Sequence, residues 1–236
     1  MNIRTLLSRM VFPHTYSDEA YVKYLRSKGA KIGYNTRFIY PRKCHVDIHR
    51  AEYITIGDNC CLSQVRILAH DYSWYVALDS DNKLIPDPGG EVIIGNNVFV
   101  GYESLILKNS IIGDNVIIGA RSVVTGITIP SNTVWAGAPA RFICSLEEYI
   151  KKKEDNLSKS LQIRKNILER RSSYCMEDWG YFMFLFLPRT EENYNKYIKQ
   201  LEYNGKRNSS VVRDHFFSTT PMWSDYESFL NEINYV

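Results

Sequence analysis

From Ile94 to Ala136 one position in six is aliphatic or small: Ile94, Val100, Ile106, Ile112, Ile118, Val124, Pro130 and Ala136. Four residues after each of the first seven comes a second small or β-branched position, at Val98, Ser104, Ser110, Val116, Ser122, Thr128 and Val134. Glycine follows the leading residue at Gly95, Gly101, Gly113, Gly119 and Gly137. A period of six matches neither a 3.6-residue helix nor a two-residue strand alternation. It predicts a solenoid of three flat faces per coil, each face a short strand plus a corner. The aliphatic side chain points inward, the small residue fills the corner, and glycine relieves backbone strain there. TGITIP (125–130) is expected to keep the six-residue step.

Upstream, Ile32-Gly33, Phe38, Ile56-Gly57, Leu62 and Leu68 lie on one six-residue phase. Cys44 and Arg50 share it but are poor core residues, so 40–53 reads as irregular or shifted. After Leu68 the pattern stops. Residues 71–90, with two prolines and two glycines, read as a loop before Val92-Ile93-Ile94-Gly95 restarts the coil out of phase. Long loops within compact domains are commonly functional.

Three other segments flank the coil. Residues 17–29 predict a short helix capped by Ser17 or Asp18 and ended by Gly29, with Ala20, Tyr21, Tyr24 and Leu25 inward. Leu146 to about Arg171 carries a helical pattern with many basic residues, read as a solvated face. Residues 174–236 are rich in aromatics, and YFMFLFLPR (181–189) is too short to span a bilayer. The expected organisation is an N-terminal helical segment at 1–30, a coil domain at 31–145 with the 71–90 insertion, and a mostly helical extension at 146–236.

Composition narrows the function classes. A net charge of +3 over 236 residues does not argue for nucleic acid. No apolar run has the length of a membrane span, and Met1–Met10 lacks the features of a secretory signal. Five cysteines without metal-ligand spacing, among them adjacent Cys60 and Cys61, read as reduced core or corner residues, which fits a cytoplasmic protein.

The stretch ITIGDNCCLSQVRILAH, the loop, and the run from EVIIGNNVFVG to GAPARFI resemble the hexapeptide-repeat acyltransferases over about residues 30–145. The likeness is to the galactoside, maltose and xenobiotic O-acetyltransferases and to enzymes of surface-polysaccharide synthesis. That resemblance implies a mainly β fold, a left-handed parallel β-helix. It also implies a homotrimer in which acetyl-CoA and a sugar or saccharide acceptor meet between subunits. No metal is expected.

His70 closes the coil and opens the loop, where an imidazole that titrates near neutrality would suit a general base. The resemblance places the catalytic histidine there. Asp71 and Glu103 are candidates for orienting it. No serine or cysteine carries a nucleophile signature such as Gly-x-Ser-x-Gly, so direct transfer without an acyl-enzyme is expected, with a backbone N–H stabilising the oxyanion. For the cofactor, the family's positions correspond to Tyr102, Ala120, Thr125 and Arg141. Where relatives commonly have Thr-Lys this chain has Thr125-Gly126, so Arg121, Arg141 or the helix after Leu146 would meet the phosphates. Tyr72, Trp74 and Tyr75 are candidates for an acceptor-stacking wall. The competing readings are an antibiotic O-acetyltransferase, an N-acetyltransferase of an amino sugar, a non-catalytic scaffold, and a zinc enzyme of the γ-carbonic-anhydrase type. His45, His49 and His70 lack the spacing for the last of these.

Overall fold

The computed structural model describes residues 3–81, 87–203 and 210–234. The part of the expected 71–90 loop at 82–86, and 204–209 and 235–236 of the extension, lie outside the described residues. The chain divides into two compact units, Met1–Tyr149 and Ile150–Val236.

The first unit is a β-helix of three parallel sheets. One sheet stacks Lys31–Ile32, Ile54–Ile56, Val92–Ile94, Ser110–Ile112 and Thr128–Ile129. A second stacks Arg37–Ile39, Cys61–Ser63, Phe99–Val100, Ile117–Ile118 and Thr133–Ala136, and Arg141–Ser145 closes it antiparallel. The third stacks His45–Val46, Arg66–Leu68, Leu105–Leu107 and Val123–Val124. Ile94, Val100, Ile106, Ile112, Ile118 and Val124 are all buried, as the period requires. Ser104, Ser110 and Ser122 fill corners and hydrogen-bond to backbone, for example Ser104 Oγ to the Gly119 carbonyl at 2.9 Å. The helix Asp18–Ser27 covers one end, its first turn capped by Ser17 Oγ, which accepts from Ala20 N at 3.2 Å. Tyr21, Val22 and Leu25 join the coil's core, so this segment belongs to the same body as the coil. Val22 is buried as well, while Tyr24 packs against this core half-buried.

Two expectations about the repeat need correction. The step is five residues, not six, at two places: Ile67 is buried where Leu68 was expected, and Ile129 where Pro130 was. The irregular 40–53 stretch is a pair of 3-10 turns, Pro41–Lys43 and Ala51–Tyr53, around the strand His45–Val46. The strained corners are also held by different residues than expected. Asn35, Asn59, Asn97, Asn115 and Asn132 adopt left-handed backbone, an option asparagine tolerates better than most residues. Their amides form a ladder, with Asn97 Nδ2 donating to Asn115 Oδ1 at 2.8 Å and Asn115 to Asn132 at 3.0 Å. The repeat glycines serve close approach between coils: a Cβ on Gly57 would lie 2.6 Å from the Gly95 carbonyl oxygen.

The second unit is helical. Leu157–Leu168, Glu191–Tyr203, Ser210–Ser218 and Tyr226–Asn234 surround a 3-10 segment, Met176–Leu185. Its core is Leu168, Trp179, Met183, Phe186, Phe216 and Phe229. In the run at 181–189, Met183, Phe186 and Leu187 are buried in this core and Phe182, Phe184 and Leu185 pack against it, while Tyr181 is exposed. Among the described residues no helix is long and apolar enough to cross a membrane.

Candidate active site

The third sheet positions the site. Its register pairs Val46 with Ile67, Leu68 with Leu107, and Ile106 with Val124. The chain leaves each strand at the same corner, so Asp47, Ala69-His70, Lys108-Asn109 and Thr125-Gly126 follow one another up the stack. A cleft of about 410 Å³ opens there, lined by Leu68, His70, Asp71, Leu107, Lys108, Asn109, Thr125 and Gly126. Leu68 lies half-exposed on this cleft because the phase slip turns Ile67 inward in its place.

Asp47 is the partner of His70. Its side chain is 1% exposed, and Oδ2 accepts from His70 Nδ1. Oδ2 also accepts from Ala69 N at 3.2 Å, and Oδ1 from His49 N at 3.1 Å. A buried carboxylate is tolerated when donors converge on it, and here three do. A carboxylate in its ionised form only accepts, so this contact selects the ring tautomer with its proton on Nδ1 and its lone pair on Nε2. The backbone N–H bonds fix the carboxylate, and the carboxylate fixes the ring.

Within the single chain, Asp71 and Glu103, expected to orient the histidine, bond elsewhere. Asp71 pairs with Lys108, and its Oδ1 accepts from Ser73 N at 3.0 Å. The Lys108 ammonium, aided by Ser73, holds its carboxyl well below the usual carboxylate range. Glu103 stands on a different corner and accepts from Arg121 Nε at 3.1 Å. Lys108, which sequence reasoning passed over, also pairs with Asp87 at the far end of the insertion. The insertion itself contains a helix, Trp74–Asp81, where a plain loop was expected. Tyr72 meets His70 edge-to-face with ring centroids 4.8 Å apart, and Trp74 stacks on Tyr75 at 4.1 Å. Of the three candidate acceptor residues, Tyr72 meets the histidine, and Tyr75 and Trp74 continue from it in a chain of ring contacts. The chain re-enters the coil through Gly89, whose φ of +88° and the Ala69 carbonyl 2.6 Å from its Cβ position admit only glycine.

The candidate cofactor residues divide between two corners. Thr125 lines the cleft with His70. Tyr102 and Ala120 stack on the corner of Glu103 and Arg121, where the Tyr102 carbonyl accepts from Arg121 N at 2.8 Å. Arg141 is exposed on the antiparallel strand and donates to the Ala140 carbonyl at 3.2 Å. Within one chain these positions do not form a single groove. A larger cavity, about 670 Å³, lies in the second unit between Arg164, Arg171, Trp179 and Lys199. Arg171 there pairs with Asp178, and no histidine is among the lining residues. Among the described residues no group of three or more His, Cys, Asp or Glu is placed to hold a metal ion.

Residues 91–126 match the bacterial transferase hexapeptide (six repeats) family. A maltose O-acetyltransferase from Clostridium difficile 630 is 30% identical over 60% of this chain and 84% of its own, with a TM-score of 0.39. A galactoside acetyltransferase in complex with coenzyme A is 27% identical over 63% of this chain and 82% of its own, with a TM-score of 0.43. The polySia-specific acetyltransferase NeuO is 28% identical over 48% of each chain, with a TM-score of 0.35. No curated protein matches the sequence. The repeat, the three-sheet coil and the identity to the maltose enzyme define a class, and the chain belongs to it: the hexapeptide-repeat acyltransferases. The relatives named here are acetyltransferases.

Proposed function

We propose that this protein is an acetyl-CoA-dependent O-acetyltransferase acting on a hydroxyl of a sugar or saccharide, with His70 as general base. The observation that carries the reading is the buried Asp47 bonded to His70 Nδ1 at the mouth of the cleft. A base must be within hydrogen-bond reach of the proton it takes and must present a free lone pair, and Nε2 meets the second condition by construction. The cleft also fits an extended amide chain, because Gly126 leaves its wall free of a side chain beside Thr125. Acetyl-CoA supplies the acetyl group as a thioester and is released as the CoA thiol. His70 Nε2 accepts the hydroxyl proton as the acceptor oxygen bonds to the acetyl carbon, and the protonated ring returns that proton to the departing sulfur. Asp47 stabilises the imidazolium between these two events.

Tyr72, Trp74 and Tyr75 form the acceptor wall, since aromatic faces suit the apolar face of a pyranose. The left-handed coil follows from the hexapeptide-repeat family, and the active form is a trimer, a reading supported by exposed Phe99 and Ile111 on the outer faces. In a trimer the two separated corners, with Tyr102 and Ala120 on one and Thr125 on the other, face each other across neighbouring copies. Synthesis of surface polysaccharide in the cytoplasm is the setting we infer. The test is CoA release, read with a thiol reagent, over maltose, galactosides, amino sugars and chloramphenicol. Saccharide hydroxyls turn over if the reading holds; release with only the amine or the drug overturns it.

A further inference from the structure

We propose that Lys108 is a positioning residue: one ammonium on the rigid coil clasps both ends of the 71–87 segment and thereby sets the aromatic wall against His70. Its kinetic consequence rests on the acyl-transfer reading above; the clasp itself does not. Lys108 follows the strand Leu105–Leu107, whose last residue is in register with Leu68 two residues before His70. Its ammonium pairs with Asp71, which leaves the coil, and with Asp87, which returns to it. The lysine and Asp87 side chains are each 24% exposed, so the pair is only partly screened by water.

Each end is fixed further by backbone bonds. Asp87 Oδ1 accepts from Gly89 N at 2.8 Å, and the Ala69 carbonyl accepts from Gly90 N at 2.8 Å. At the other end Asp71 adjoins Tyr72, whose ring touches His70 and lies 6.0 Å from Tyr75. Removing the ammonium leaves two carboxylates sharing one site, and like charges at that separation drive each other apart. Asp71 would then move, and Tyr72 with it. A rigid histidine held by Asp47 would remain in place beside a displaced wall, so binding of the acceptor suffers before the chemistry does.

The experiment compares Lys108→Met, which keeps the stem, and Lys108→Arg, which keeps the charge, with the full-length wild type by hydrogen exchange and mass spectrometry. Amides of 71–76 in Lys108→Met should exchange about 2- to 30-fold faster, the span expected for two part-exposed ion pairs. Lys108→Arg should restore most of the protection, and high salt should speed exchange in wild type but not in Lys108→Met. With a saccharide found to turn over, Lys108→Met should raise the acceptor KM several-fold, and Lys108→Arg should bring it back toward the wild-type value. Unchanged exchange in Lys108→Met, or failure of Lys108→Arg to restore it, overturns the clasp. Faster exchange in a protein that transfers no acetyl group keeps the clasp and removes the enzyme reading instead.

Discussion

Asp47→Asn should nearly silence the enzyme while leaving it folded. The substitution keeps volume and shape but replaces a pure acceptor by a group with one acceptor and one donor. In the structure the two carboxylate oxygens serve three donors: Ala69 N and His70 Nδ1 on Oδ2, and His49 N on Oδ1. If the amide keeps its oxygen toward Ala69 and His70, its NH2 is forced against the His49 N–H. If it turns over, NH2 faces the ring, which must then carry its proton on Nε2 and cannot serve as a base. Either way the imidazolium loses its counter-charge. General-base catalysis contributes roughly 10²- to 10⁴-fold, so kcat should fall by that span, or about 3–5 kcal/mol of barrier. The folding cost is that of one poorly satisfied buried group, about 1–3 kcal/mol. The assay is CoA release with acetyl-CoA and the acceptor each varied in turn, giving kcat and both KM values, alongside His70→Ala and the double variant. The two effects should be far from additive, because both act through one ring. An Asp47→Asn enzyme within a few-fold of wild-type kcat would show that Asp47 does not hold His70 ready as the base.

Other consequences concern the frame. Gly57→Ala should destabilise the coil by about 1–3 kcal/mol, an overpacking cost, since its Cβ would lie 2.6 Å from the Gly95 carbonyl oxygen and backbone cannot move aside cheaply; thermal unfolding measures it. Trp179→Ala should cost the second unit about 3–5 kcal/mol, because the ring is fully buried against Phe229. Loss of protection confined to that unit in hydrogen exchange would show it. Burial pushes the Cys44 thiol up to about 11, so its contribution to stability is complete below about pH 8.5 and is lost as the pH climbs toward 11. Cys44 should accordingly resist alkylation at pH 8 and react rapidly once the chain is unfolded.

The repeat made much of this fold readable, because an inward aliphatic at a constant step leaves a mark in the sequence that packing does not disturb. It located His70 by ending beside it. It did not reveal Asp47, which follows the strand His45–Val46 after a 3-10 turn has carried the chain from buried Phe38 to buried Val46, a distance the six-residue period does not divide. An acid just past a coil strand, one coil before the histidine, was the signal present; the broken phase hid it. Lys108 was missed for another reason. Its two partners are 37 and 21 residues away in sequence, counted from Asp71 and Asp87, and only the stacking of coils brings them to it. Ile129 shows the limit of pattern alone: a five-residue step and a six-residue step both leave an apolar residue near the expected place, and burial chose between them. The aromatic tail carried no period, since its helices are short and its core is assembled from segments distant along the chain.

The central claim, that His70 takes the hydroxyl proton in a direct transfer, is tested most directly with radiolabelled acetyl-CoA, a saccharide acceptor, and the wild type beside His70→Ala. Wild type should place label on the saccharide hydroxyl, the variant should lose about 10²-fold or more, coenzyme affinity by calorimetry should be unchanged, and no label should stay on the protein. Transfer by His70→Ala at the wild-type rate, or acetyl label stably carried by the enzyme, would contradict it.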